Sequence, residues 1–241
     1  MHMIKYGKDG IEKLKDIINS KELKILGRNN PTDFTRERKL GFVKLIYYHL
    51  NKKGLCTNME INNFFEKVDK SITFTGQSLL DQRLKLNPAV FIVLNESYLR
   101  TFYTEYKQAV KTYKGYILKA IDGSDFEIPN TQKTRESYGQ TKNKYGENVP
   151  RATVSICYDL LNHYIIDETI EKYRTSEREM ALSHIKKDQE ISTGYHSIYI
   201  MDRGYVSTEF LVYLIKNNIN FLCRLKAGDY KKETQRHEGQ R

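Results

Sequence analysis

Apolar residues recur every three to four positions through the first hundred residues and then shift toward short, dense runs. Ile11, Leu14, Ile17 and Ile18 share one stripe, as do Leu40, Val43 and Leu50, with Phe42, Leu45 and Ile46 widening it. This is the period of amphipathic helices. Thr35 stands where a cap for the second helix belongs, with Asp33 just before it. A third helix is predicted over 59–68. A fourth begins at Ser78, where Ser78-Leu-Leu-Asp81 is a capping-box variant, and runs to about Lys85. A fifth follows Pro88, a residue suited to a helix's first turn, and reaches about Tyr113. The helix–loop–helix over 59–85 is a unit that can place Gln77, Ser78, Arg83 and Lys85 at DNA. The same geometry is also the default of any small bundle.

From Tyr116 the pattern changes. Tyr116-Ile-Leu-Lys-Ala-Ile-Asp122 is a strand-forming run stopped by Gly123, and 124–128 is predicted to return as a second strand. Residues 130–150 are polar and read as a mobile loop. Lys133, Arg135, Lys142 and Lys144 alternate there with Tyr138 and Tyr145, a mixture suited to nucleic-acid backbone and bases. A hairpin over 152–158 and 164–170 follows. Ser176-Glu-Arg-Glu179 is a capping box opening a helix to about Ile191. A strand over 197–202, a helix capped by Ser207 and running to about Asn217, and a strand over 220–225 complete the series. Strands that alternate with helices imply parallel pairing and an α/β domain.

Composition narrows the class. The chain has 241 residues, enough for one large domain or two small ones; 39 % is hydrophobic, and 18 Tyr and 10 Phe add large buried area. No run approaches the roughly 20 apolar residues of a membrane span, and the N-terminus has no apolar targeting segment. Cys56, Cys157 and Cys223 are far apart and show no zinc spacing, so a reduced, cytoplasmic protein is expected. The charge is uneven. Residues 1–115 hold 21 Lys/Arg against 12 Asp/Glu, net +9, whereas 116–241 hold 19 against 18, net +1. A basic half that meets a polyanion and a near-neutral half with another task is the reading.

Candidate chemistry lies at two strand ends. Asp122 and Asp202 each close a short apolar strand, with Gly next at 123 and two residues on at 204. Asp before Gly is commonly a turn residue, so neither marks a site alone. On neighbouring strands of an open α/β sheet the two would face one point. Two oxygen ligands held on rigid elements suit Mg²⁺ or Mn²⁺. Such a site can activate a water or a 3′-hydroxyl at a phosphodiester.

The ordered set of motifs resembles the bacterial DDE transposases of the insertion-sequence-four family. The residues that carry it are Asp33-Phe34 with Arg36, Arg38, Lys39 and Leu40; Gln77 through Arg83, with Lys85, Leu86, Asn87 and Pro88; Ile121-Asp122-Gly123-Ser124; Ser155 to Asp159 and Asn162; Ser176-Glu177-Arg178-Glu179; Asp202-Arg203-Gly204-Tyr205; and the run from Phe221 to Lys226. The resemblance implies an all-α N-terminal DNA-binding domain over 1–115 and a ribonuclease H-like α/β catalytic domain, with a mixed and incomplete sheet, over 116–226. It implies Asp122 and Asp202 as catalytic, metal-binding acids for Mg²⁺ or Mn²⁺. Arg36, Arg38, Lys39, Gln77, Arg83, Lys85, Lys142, Lys144, Arg203 and Tyr205 are the expected DNA contacts. The expected partner is double-stranded DNA, as terminal inverted repeats and target, with a homodimer in the complex, no membrane association, and a cytoplasmic, nucleoid-associated location.

One departure is expected to matter. The family's third acid is a Glu within a Tyr-x2-Arg-x3-Glu-x6-Lys signature after the second Asp, and none follows Asp202 here. Residues 227–241 read as a polar, disordered tail, in which Glu233 and Glu238 are carboxylates that nothing holds in place. The chain is therefore expected to be truncated at its C-terminus and impaired in catalysis, and residues 116–241 to be less stable than the helical half. Two alternatives stay open: a catalytically inactive DNA-binding fragment acting as an inhibitor, and a ribonuclease H-like nuclease of another kind, such as a junction resolvase.

Overall fold

The computed structural model describes residues 2–36 and 38–225, with side chains from Gly7 onward. Glu233 and Glu238 lie outside the described residues. The chain divides into two compact units, residues 1–101 and 102–241.

The first unit is helical. It contains α1 (His2–Ile18), α2 (Lys21–Leu26), α3 (Phe42–Leu50), α4 (Thr57–Val68), α5 (Gly76–Arg83) and most of α6 (Ala89–Glu105). The apolar stripes meet in one core that includes Ile18, Leu40, Leu45, Ile46, Ile61, Phe65, Leu79 and Val90. Full burial of such side chains is worth about 1.5–3 kcal/mol each before entropy is counted. Gly27 is set by packing: a Cβ there would stand 2.7 Å from both Phe42 Cζ and Val90 Cγ1. Three helix starts differ from expectation. Thr35 donates to the carbonyl of Thr32 rather than capping, and α3 begins only after Gly41. Phe34, in the left-handed region at φ 54°, and Leu40 are both buried ahead of α3. Thr75, not Ser78, caps α5. α2, capped by Ser20, had no clear stripe to announce it. α6 ends at Glu105, short of Tyr113.

The second unit is built on a mixed six-stranded sheet. Its strands are β1 (Tyr116–Glu127), β2 (Gln140–Lys142), β3 (Asn148–Asp159), β4 (Tyr164–Lys172), β5 (His196–Met201) and β6 (Asn220–Cys223). β1 and β3 are antiparallel, as are β3 and β4, while β1, β5 and β6 run parallel; β2 adds to the far end of β3. The main order is therefore β4-β3-β1-β5-β6, the ribonuclease H-like α/β arrangement expected from the sequence. α8 (Glu177–Ile191) joins β4 to β5 and packs across β1, β3 and β4. α9 (Thr208–Lys216), capped by Ser207, joins β5 to β6.

Two stretches differ from expectation here. β1 does not stop at Gly123, because β3 is long enough to pair with it as far as Glu127, opposite Arg151. Residues 130–150 are ordered rather than a loop. Thr131 and Thr134 cap each other reciprocally at the start of α7 (Gln132–Tyr138), and β2 then turns into β3. Asn143 holds that turn, its side-chain oxygen accepting from the amides of Tyr145 and Glu147.

Candidate active site

The parallel ladder between β1 and β5 fixes the position of the two acids. Ala120 pairs with Ile200, the last pair of that ladder. Two residues further along the chain stand Asp122, within β1, and Asp202, just past the end of β5. Neighbouring strands lie about 4.8 Å apart, and residues at equal height on parallel strands face the same side. Both carboxylates are exposed at the carboxyl edge of the sheet. Each has one oxygen held by a nearby glycine amide: Gly123 N donates to Asp122 Oδ1 at 3.0 Å, and Gly204 N to Asp202 Oδ1 at 2.6 Å.

A third carboxylate reaches the same edge. β4 runs parallel to β1, so the helix after it begins where β1 presents Asp122. Glu177 is the first residue of α8, and its side chain lies across both glycines. A Cβ at Gly123 would stand 3.2 Å from Glu177 Cγ and 3.3 Å from its Oε1, and one at Gly204 would stand 3.8 Å from its Oε2. The next residue fastens the helix to the turn: Arg178 Nε donates to the Tyr205 carbonyl and Nη2 to that of Gly204, each at 3.2 Å. Burial, and then the charges of Asp202, Asp122 and Asp125, push the Glu177 carboxyl above the usual carboxylate range. Among the described residues no three His, Cys, Asp or Glu side chains are gathered closely enough to hold an ion.

Tyr205, expected at the DNA, is instead fully buried, its ring enclosed where the turn after β5 meets α8. Its hydroxyl is buried beside the Ser155 side chain, short of good hydrogen-bond geometry. Burial and the nearby charges of Glu177, Asp122 and Asp202 push that hydroxyl's pKa up, and the interaction with Ser155 opposes them. Deeper still, Ser155 Oγ stands 3.3 Å from the Asp122 carbonyl and 3.0 Å from His184 Nε2, while His184 Nδ1 stands 2.6 Å from Asp167 Oδ2. The order Asp–His–Ser mimics a nucleophile relay, but Ser155 and His184 are both fully buried, and no substrate reaches the hydroxyl. One hydroxyl proton serves either His184 or the Asp122 carbonyl. This set braces the backbone under Asp122.

The other expected DNA contacts fall on surfaces. In the first unit Arg36, Arg38 and Lys39 are exposed. Arg36 and Arg38 line a concavity of about 300 Å³ with Lys85 and Gln82. An adjoining one of about 520 Å³ shares both arginines and adds Lys24 and Lys44. Arg83 is exposed at the end of α5, and Gln77 is engaged with Asp81 at 3.0 Å. In the second unit Lys142 is exposed on β2, Lys144 sits over the Tyr145 ring at the hairpin tip, and Arg203 is exposed beside Asp202. No described helix is long and apolar enough to cross a membrane.

Glu177 went unread in the sequence because Ser176-Glu-Arg-Glu179 is explained locally by capping. Ser176 does accept from the Glu179 amide, at 3.5 Å. The signal was topological: a helix leaving a strand parallel to β1 must start at the edge that carries Asp122. The buried His184 had a signal too, since it interrupts the apolar face formed by Met180, Ala181, Ile185 and Ile191.

Comparison with known proteins adds a family. The model of the transposase DDE domain matches residues 113–241. No curated protein matches the sequence. Similar solved structures include the catalytic domain of the Mos1 mariner transposase, 8 % identical over 60 % of this chain and 69 % of that one, with a TM-score of 0.33. The piggyBac transposase in its synaptic complex with hairpin DNA is 11 % identical over 87 % of this chain and 47 % of that one, with a TM-score of 0.40. The Drosophila P element transposase in its strand transfer complex is 8 % identical over 96 % and 50 %, with a TM-score of 0.34. The chain spans about half the length of the last two.

Proposed function

The chain belongs to the transposase DDE-domain family, and from that premise we propose that it is a DNA transposase of the insertion-sequence-four type. Its substrates are the terminal inverted repeats of its own element and a target duplex. The observation that carries the reading is that Asp122 and Asp202 each stand two residues beyond the last pair of the adjacent parallel strands β1 and β5. Mg²⁺ or Mn²⁺ fits these residues. The donors are hard carboxylate oxygens. Bound there, such an ion supplies Lewis-acid activation of the attacking water or 3′-hydroxyl and of the leaving oxygen.

The chain's own residues do the placing. Gly123 and Gly204 amides orient one oxygen of each Asp. Arg203, Lys142 and Lys144 are exposed for phosphate. In the helical part Arg36, Arg38, Lys39, Gln77, Arg83 and Lys85 meet the repeat, with Arg36, Arg38 and Lys85 around one concavity. Residues 1–115 serve as the DNA-binding part and 116–226 as the catalytic part, in a homodimer assembled on DNA in the cytoplasm, at the nucleoid.

Purified protein and an end-repeat duplex test this. Binding is expected to weaken steeply with salt, by about 0.9 in log K per log unit of salt for each phosphate contact. Arg36→Ala and Arg38→Ala should each lower that slope by about one. With Mn²⁺, nicking at the repeat end is expected, and Asp122→Asn and Asp202→Asn should abolish it. Nicking that survives Asp202→Asn refutes the assignment of the acids. Binding with no nicking by the unaltered chain supports the second reading, a DNA-binding fragment that acts as an inhibitor.

A further inference from the structure

We propose that the hairpin of β2 and β3 is a two-stranded ribbon that enters the major groove of the duplex being cut, with Tyr145 at its tip reading base edges about 8–9 base pairs from the scissile phosphate. The proposal rests on the reading of Asp122 and Asp202 as the point of chemistry and adds a second, specificity-determining contact to it.

Three observations carry it. First, the tip holds a bare aromatic ring on a fixed mount. Tyr145 is 75 % exposed. The turn under it is closed by Asn143 N donating to the Glu147 carbonyl at 2.9 Å and Gly146 N to the Asn143 carbonyl at 3.0 Å, with the Asn143 side chain holding two further amides. Gly146 stands at φ 81°, a conformation that suits glycine. At the base, Arg151 N donates to the Gly139 carbonyl at 3.3 Å and Tyr173 N to the Tyr138 carbonyl at 2.8 Å, which ties α7 to β3 and to the residue after β4. A hairpin that serves only as a connection gains nothing by holding an aromatic ring in water. Second, the ring is set among cations. Lys142 and Lys144 are exposed, and Lys144 Nζ lies 4.9 Å from the centroid of the Tyr145 ring. Glu147, the one acid in 140–148, is engaged by Asn143 Nδ2 at 3.0 Å. Ammonium groups beside an aromatic ring match a polyanion with flat bases inside it: the lysines take the phosphates that flank a groove, and the ring takes the base edges within.

Third, the strands set the distance. β3 runs antiparallel to β1, so it begins beyond the edge at which Asp122 stands. Asp122 pairs with Ile156, and Lys142 pairs with Asn148 at the base of the turn. The stretch of β3 from Ile156 back to Asn148 spans at most about 27 Å, and the turn carries Tyr145 to about 30 Å. Duplex DNA rises about 3.4 Å per base pair, which puts the tip about 8–9 base pairs from the acids. One full turn of the duplex takes about 10 base pairs, so a duplex lying on the acids shows nearly the same side to the tip. The major groove, about 12 Å wide, admits a ribbon of two strands.

The test uses the full chain in EDTA, where no strand is cut. Gel-shift titrations over a range of salt compare an end-repeat duplex with a scrambled duplex of the same composition. Tyr145→Ala is expected to reduce the preference for the end repeat about tenfold and to leave the salt slope unchanged. Replacing Lys142 and Lys144 together by alanine should weaken both duplexes alike and lower the slope by about two. In hydroxyl-radical footprints Tyr145→Ala should lose a protected patch about 8–9 base pairs from the patch that Arg203→Ala loses, since Arg203 stands beside Asp202. The exposed ring should leave the thermal unfolding midpoint unchanged when it is removed. An unchanged preference, an equal weakening of both duplexes, a lost patch beside that of Arg203, or a lower unfolding midpoint each overturns the role of Tyr145. None of these touches the acids, which nicking by Asp122→Asn and Asp202→Asn tests separately. If the unaltered chain binds both duplexes alike, or Arg203→Ala loses no patch, the reading of the end repeat as substrate fails and this proposal with it.

Discussion

Replacing Lys119 with methionine should cost the second unit about 3–5 kcal/mol, the usual loss when a buried charge network is broken from one side. The magnitude follows from what the ammonium group holds. Lys119 points into the core from β1, between Ile117 and Ile121, and is fully buried. Its Nζ stands 3.2 Å from Asp188 Oδ1, 3.4 Å from Asp159 Oδ2 and 2.8 Å from the Tyr103 hydroxyl. Both carboxylates are also fully buried. The network therefore holds one positive and two negative charges, and hydrogen bonds carry the excess. Asp159 accepts from Tyr103, Leu161 and Asn162, and Asp188 from Ser192, Ser197 and Tyr199. Methionine preserves most of the lysine stem's volume, which keeps the packing term small. The lost quantity is the compensation of two carboxylates that cannot reach water. Against a typical total of about 5–15 kcal/mol, the variant should be near its unfolding limit. Urea unfolding followed by circular dichroism measures the loss by linear extrapolation. The triple variant Lys119→Met, Asp159→Asn, Asp188→Asn should recover most of it, because removing all the charges together is often close to neutral. A loss under about 1 kcal/mol for the single variant would refute the reasoning.

In the first unit, burial and the charges of Arg83 and Lys52 hold the His49 imidazole down to about 4. The unfolded chain then takes up a proton first, so stability should fall as pH drops from about 6.5 toward about 4, and His49→Gln should flatten that slope; superimposable acid-unfolding curves would contradict it. Gly27→Ala drives a methyl group into Phe42 and Val90 and should cost about 1–3 kcal/mol. Thermal unfolding checks this, and an unchanged midpoint would mean that the helices part more easily than their packing implies.

Periodicity located most of the fold. In the second unit the hairpin and the strands and helices from Ser176 onward fall within a few residues of their expected places. In these cases local pattern and tertiary context agree. Disagreements arise where a partner distant in sequence decides. β1 continues through Gly123 because β3 is long enough to pair with it, and the Gly123 Cα is flat enough for Glu177 to lie over it. α7 went unread because its capping pair is Thr131 with Thr134 rather than a Ser or Thr with a Glu. Nothing local marks Lys119 as a buried charge in its apolar run, since Asp159, its partner, lies 40 positions away. Of the site itself, Asp122 and Asp202 were legible because each ends a strand in its own local sequence. Glu177 comes near them only through the topology that returns α8 to the same sheet edge.

That topology gives the buried polar groups a common purpose. The elements presenting the acids are β1, β5 and α8, and two sets of buried contacts cross them at different depths. The nearer set joins Asp167 on β4, His184 on α8 and Ser155 on β3 to the carbonyl of Asp122 itself. The farther set joins Lys119 on β1 to Asp188 on α8, and Asp188 to Ser197 and Tyr199 on β5. Asp188 lies ten residues along α8 from Arg178, which ties the helix start to the Tyr205 and Gly204 carbonyls, about 15 Å of helix, so the helix is gripped at two well-separated points. A helix packed by apolar contacts alone can slide or roll at little cost, because such contacts are non-directional. Two directional attachments fix both its rotation and its translation against the strands. An error of about 1 Å in placing a reacting group can cost on the order of a hundredfold in rate. Burying charged groups in a sheet domain is costly, and here the cost secures the relative positions of three elements whose carboxylates repel one another.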